Sequence, residues 1–83
     1  MPELSDEEVA RRALAQKEEF ALLIRRYEAK LARYLERLGV GSREDREDIL
    51  QNAFIKAYRN LASFDPELQF SSWMYRIAHN EAM

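Results

Sequence analysis

Cysteine is absent from these 83 residues. Its absence removes disulfide frameworks, thiolate zinc sites, iron–sulfur clusters and cysteine nucleophiles together, and it fits a reducing, cytoplasmic setting. Glycine and proline number two each. The glycines lie two apart, Gly39 and Gly41, with no Lys-Ser/Thr after them, so no phosphate-cradling loop is present, and no Gly-x-Ser-x-Gly elbow occurs either. Histidine occurs once, at His79, without the paired spacing that gathers a metal on one helix face, so neither a metal nor a cofactor is expected. Apolar runs such as Ala21–Ile24 are far too short for a bilayer, and the opening Met1–Ala10 is acidic where a signal peptide would be basic and apolar. No membrane association or export is expected. The carboxylates sit on charged helix faces beside Arg or Lys, where nothing would retune them for acid/base work, so the chain reads as a non-enzyme.

A strongly basic block is also missing. Residues 1–10 carry four acids and no base, 11–41 eight bases against four acids, 42–59 four against four, and 60–83 one base against three acids, giving the net charge of −2. A protein that held duplex DNA by its phosphates alone would show a cationic face. Any nucleic-acid role must therefore rest on base contacts, or on a partner that supplies positive charge.

What is present is a folded composition, 47% hydrophobic and 34% charged, with length for one domain over 1–83 and no second core. Two breaks punctuate it, Gly39-Val40-Gly41-Ser42 and Ser63-Phe64-Asp65-Pro66, with one more proline at position 2. Between them apolar residues recur at helical spacing and nowhere alternate strictly, so the fold class is all-α, a bundle of three to four helices over about 6–15, 17–38, 43–61 and 70–83.

Ser5-Asp6-Glu7-Glu8 reads as a capping box that starts the first helix, with Val9, Ala10, Ala13 and Leu14 on its buried face. The second carries Phe20, Ile24, Tyr27, Leu31, Tyr34 and Leu38 at alternating steps of four and three, widened by Leu23 and Leu35. Gly39 and Gly41 end it. Ser42-Arg43-Glu44-Asp45 starts the third, whose stripe is Leu50, Ala53, Phe54, Ala57, Tyr58 and Leu61. Its other side holds Asp48, Gln51, Asn52, Ile55 and Arg59. Periodicity alone favours a solvated face with one stray isoleucine for this set, and the sharper alternative is a groove for a partner helix.

Asp65-Pro66 shapes the connector 62–69, and the fourth helix is expected to bury Phe70, Trp73, Met74, Ile77 and Ala78. Ser72, Tyr75, Arg76, His79, Asn80 and Met83 then face outward. Amide, guanidinium, imidazole and phenol together suit unstacked bases, whose faces stack on aromatics and whose edges pair with amides. The same mixture also describes an ordinary wet helix surface.

The run from Asp45 to Leu61, then Phe64-Asp65-Pro66, then Phe70-Ser71-Ser72-Trp73-Met74-Tyr75-Arg76-Ile77-Ala78-His79-Asn80 closely resembles region 2 of bacterial extracytoplasmic-function sigma factors of the sigma-70 family. The resemblance rests on an Asp-x-x-Gln-x-x-Phe helix, a Phe-Asp-Pro loop and a Phe-x-x-Trp-x-x-x-Ile-Ala-x-Asn helix in order. It covers nearly the whole chain. It implies a promoter-recognition subunit in which Asp48, Gln51, Asn52, Ile55 and Arg59 meet the clamp helices of the RNA polymerase β′ subunit. The loop from Ser63 to Phe70, with Ser63, Phe64, Asp65 and Pro66 as its contact residues, would form a pocket for a flipped base of the minus-ten non-template strand, and Ser72, Tyr75, Arg76, His79 and Asn80 would read or hold its neighbours. An anti-sigma factor is a further implied partner. The alternative is a helical protein-interaction module that keeps the fold without binding DNA.

Three departures from the family pattern carry expectations of their own. Asn52 stands where many relatives have glutamate, which removes a charge from the implied clamp contact. Gln16-Lys17 replaces a Gly-Asp turn, so the first two helices are expected to run closer to continuous. The sequence stops at Met83, before the family's basic helix end and its second, helix-turn-helix domain, so that region 4 domain is expected to be absent and DNA affinity in isolation to be weak.

Overall fold

The computed structural model describes residues 3–83; Met1 and Pro2, counted in the expected domain, lie outside the described residues. The Ser5 hydroxyl accepts from the Glu8 N–H at 3.1 Å and opens α1, Asp6–Ala15. The reciprocal half of the expected capping box does not form, because the Glu8 carboxylate is held by Arg11 at 2.7 Å one turn on.

Gln16 then adopts extended backbone (φ −127°, ψ 91°), followed by a 3-10 turn, Lys17–Glu19, before α2 spans Phe20–Arg37. This corrects the expectation of near-continuous helices and of a second helix from residue 17. One extended residue redirects the chain, so α1 packs against α2 instead of prolonging it.

At the end of α2, Gly39 takes φ +97°. Its N–H reaches the Glu36 carbonyl and the Val40 N–H the Leu35 carbonyl, both at 3.0 Å, the double cap that a left-handed glycine makes possible. α3 runs Arg43–Arg59 from a Ser42 cap whose hydroxyl accepts from the Asp45 N–H at 3.3 Å. Arg46 fastens this corner by donating to the Val40 and Gly41 carbonyls, each at 2.9 Å. α3 stops two residues short of the expected 61, and a 3-10 turn, Leu61–Ser63, leads into the connector. α4, Phe70–Ala82, completes the fold, and the described residues contain no strand.

The core joins all four helices: Val9, Ala10 and Ala13 from α1, Phe20, Leu23, Tyr27 and Leu31 from α2, Ala53 and Ala57 from α3, Leu61 from the 3-10 turn and Phe64 from the connector, and Phe70, Met74 and Ala78 from α4. Alanines at 53, 57 and 78 let the backbones of α3 and α4 come close. Leu14 departs from the expected stripe at 57% exposure, at the edge of a small crevice it shares with Leu61, Phe64 and Pro66, and Tyr58 is exposed although its ring meets Phe20 edge-to-face at 5.4 Å. No helix among the described residues is long and apolar enough to cross a membrane.

Candidate nucleic-acid and protein interfaces

Steps of three and four along α3 place Asp48, Gln51, Asn52, Ile55 and Arg59 on its outer side, and all five are exposed. Ile55 keeps 42% of its surface in solvent, enough to serve as an apolar centre among polar neighbours. Beside it runs an open groove of about 440 Å³ lined by Lys17, Glu18, Phe20, Ala21, Ile24 and Tyr58. Sequence periodicity put Tyr58 in the core, because it shares the stripe of Phe54 and Ala57. In the fold it sits at the margin of that stripe, where the start of α2 covers it only in part through Phe20.

The second region is built by the connector. Phe64 is buried, its ring 5.5 Å from Phe70 and nearly perpendicular to it, and 5.1 Å from Trp73. The Asp65 carboxylate accepts from the Glu67 N–H at 2.9 Å and its carbonyl from the Leu68 N–H at 3.0 Å, so the loop is a hydrogen-bonded turn. Ser63 Oγ donates to the Asn60 carbonyl at 2.7 Å. Between this turn and α4 opens a cleft of about 440 Å³, lined by Ser63, Phe64, Asp65, Leu68, Gln69, Ser72, Trp73 and Arg76. That volume lies in the range of small-molecule clefts, roughly 300–1,000 Å³.

A second concavity, about 340 Å³, lies between α3 and α4 and is lined by Lys56, Asn60, Ser63, Trp73, Ile77, Asn80 and Glu81. Ser63 and Trp73 belong to both hollows, so the indole forms part of the wall they share. On α4 the exposed Ser72, Arg76 and Asn80 make a ridge at four-residue spacing.

Not all the expected contact residues gather there. Phe64 contributes a buried wall to the cleft and offers little exposed surface. Pro66 lines a separate small crevice with Ala10, Arg11, Leu14, Leu61 and Phe64 on the α1 side. Tyr75 and His79, expected to point outward, are half-buried against α2: Tyr75 meets Tyr34 edge-on at 5.1 Å, and His79 Nδ1 lies 2.9 Å from the Tyr34 hydroxyl. Their position follows from a wider buried arc on α4 than the Phe70, Met74 and Ala78 stripe alone.

Lys56, Asn60 and Glu81 were not expected as lining residues, and Trp73 and Ile77 were assigned wholly to the core, whereas Leu68 and Gln69 lie in the loop expected to form the pocket. Trp73 carried a signal that could have found it, since so large a side chain is rarely buried completely.

The family model for sigma-70 region 2 matches residues 23–83. Over 66 residues the chain is 48% identical to the ECF RNA polymerase sigma-E factor of Haemophilus influenzae, covering 80% of this chain and 34% of that protein. Against the ECF RNA polymerase sigma factor SigW of Bacillus subtilis it is 44% identical over 61 residues, covering 74% of this chain and 32% of that protein. The chain thus spans about a third of the length of these relatives. A solved NMR structure, an engineered region 2 of sigmaE in complex with GTAAAA, superposes with a TM-score of 0.86 at 43% identity, covering 99% of this chain and 86% of that one. CnrH, solved in complex with the cytosolic domain of CnrY, superposes at 0.85 with 29% identity, covering 93% of this chain and 50% of that one. Motif order, sequence match and superposition agree, and the chain belongs to the sigma-70 region 2 family as region 2 of an extracytoplasmic-function sigma factor.

Proposed function

We propose that this domain is a promoter-recognition module that initiates transcription with RNA polymerase in the cytoplasm. The outer side of α3, with Asp48, Gln51, Asn52, Ile55 and Arg59, docks on the β′ clamp helices. The connector and α4 capture the melted minus-ten non-template strand. The observation that carries the reading is the open cleft between the connector turn and α4, walled by Trp73 and Phe64 and edged by Ser72, Arg76 and Asp65.

Such a cleft can take a base out of its stack. Flipping costs a few kcal/mol, and stacking on one aromatic wall contributes about 1–3 kcal/mol per base, so the two are of similar size. Asn80 and Arg76 supply edge-reading groups on the adjoining ridge. With a net charge of −2, binding by the domain alone is weak and the polymerase contributes the rest. The relative solved with GTAAAA supports the single-strand assignment, and the relative solved with the cytosolic domain of CnrY supports an anti-sigma partner.

The chain holds one tryptophan, and it lies between the two hollows. Titration with single-stranded GTAAAA should therefore quench Trp73 emission saturably, more strongly in the presence of a β′ clamp-helix fragment. Unchanged emission in both conditions, with no binding by anisotropy, would refute the reading and leave a protein-interaction module as the alternative.

A further inference from the structure

The hollow between α3 and α4 contains one base and one acid among its lining residues, Lys56 and Glu81. They are joined: Lys56 Nζ lies 2.6 Å from Glu81 Oε2. The two ends of this pair differ in setting, the lysine side chain being 61% exposed and the glutamate 16%. An ion pair so open on one side contributes little to folding. Its main consequence is to fix where the ammonium sits and to cancel its charge at the lip of the hollow.

The surroundings are polar but uncharged. Asn60 is anchored by its side-chain amide, which donates to the Lys56 carbonyl at 2.8 Å, and Asn80 and Ser63 complete the polar lining beside Trp73 and Ile77. The salt-dependent part of phosphate binding comes from cationic side chains free to neutralise a phosphate, whereas amides and hydroxyls can read a base edge without charge and an aromatic ring can stack on its face. With Lys56 neutralised, the second set of groups is the one this hollow presents.

We infer that Glu81 is a specificity-determining positioning residue: by holding Lys56 it closes the α3–α4 hollow to backbone phosphate and keeps it for a nucleobase. The inference rests on the single-strand reading above. Loss of the carboxylate frees Lys56 to neutralise a phosphate, which strengthens binding to any strand and weakens discrimination between strands.

The test compares wild type, Glu81→Gln, Lys56→Gln and the double variant, each titrated with GTAAAA and with a scrambled hexamer over a range of salt, read by Trp73 emission. One added phosphate contact steepens the slope of log affinity against log salt by about 0.7 for a single strand, about 2.6-fold more loss between 50 and 200 mM. Glu81→Gln should show that steeper slope and a smaller affinity ratio between the two hexamers. Lys56→Gln should keep the wild-type slope, and the double variant should return to it. A purely structural role for Glu81 would not move the slope at all. Binding by wild type and Glu81→Gln with equal slopes, or a shallower slope for Lys56→Gln alone, overturns this inference while leaving the strand reading intact. Absence of both quenching and binding by anisotropy in all four proteins overturns the strand reading and this inference with it.

Discussion

Tyr27 shows how a single side chain can tie three helices together. Its ring is buried in α2 with its edge toward Phe70 of α4, and its hydroxyl donates to the Asp6 carboxylate of α1, which also accepts from Arg26 at 2.8 Å. Burial raises the phenol's pKa first, and the hydrogen bond to Asp6 and the negative charges of Asp6 and Glu7 raise it further. A raised folded-state value means that stability from this group is complete below the unfolded value near 10 and falls as pH rises beyond it. Tyr27→Phe should lower stability at pH 7 by about 1.5–3 kcal/mol, the value of a hydrogen bond to a charged group. It should also flatten the loss between pH 10 and 11.5. Urea midpoints of the two proteins across that range check this, and parallel curves would contradict the assignment. The sequence placed Tyr27 on a buried stripe, but nothing in it indicated a partner 21 residues away on another helix. Trp73 and Phe64 have the same limit: both were legible as large and apolar, but the division of their surface between core and cleft depends on a loop turn that periodicity does not describe.

At the level of elements, helix starts were legible wherever a local cap exists. Ser5 and Ser42 both cap as expected, and Gly39 ends α2 in the backbone region that glycine tolerates. Gly39→Ala should cost about 1 kcal/mol or more through backbone strain, since open space around the position leaves no steric reason for a larger loss. α4 is different. Gln69 gives it no side-chain cap, and the N–H of Phe70 donates instead to the Glu7 carboxylate at 2.6 Å, a cap delivered from 63 residues away. That contact couples α1 to the helix that edges the cleft. Glu7→Ala should cost about 1–2 kcal/mol and selectively speed hydrogen exchange at the Phe70 amide, measurable by native-state exchange NMR. Equal acceleration across all helices would mean general loosening. The lapse of the apolar stripe after Leu14 marked the helix break at Gln16, but the extended backbone there and the 3-10 turn after it were not legible, because they follow from the packing of α1 on α2.

Over the whole molecule, the α3 face and the α4 ridge belong to separate sets of side chains, so their substitutions should behave independently. Asp48→Arg is expected to weaken clamp-helix binding by a few kcal/mol at most while leaving GTAAAA titrations unchanged. Asn80→Ala should cost about 1–3 kcal/mol against the preferred strand, with less effect on a scrambled one and none on the clamp-helix fragment. Pull-down with the fragment and Trp73 titrations on both variants separate the two, and a shared loss in both assays would show that the surfaces are not distinct.

Residue order alone determined the all-α class, the amphipathic stripes, the capped helix starts and the family, because these depend on spacing along one element and on turn chemistry within a few residues. Tertiary structure decided that Tyr75 and His79 lean on α2, that Pro66 faces α1, that Trp73 stands between two hollows, and that Glu81 meets Lys56. The physical reason is range. A helical period says which side of a helix is apolar, but how far the buried arc extends, and which charge meets which across 25 residues, is set only when the neighbouring helices occupy their places.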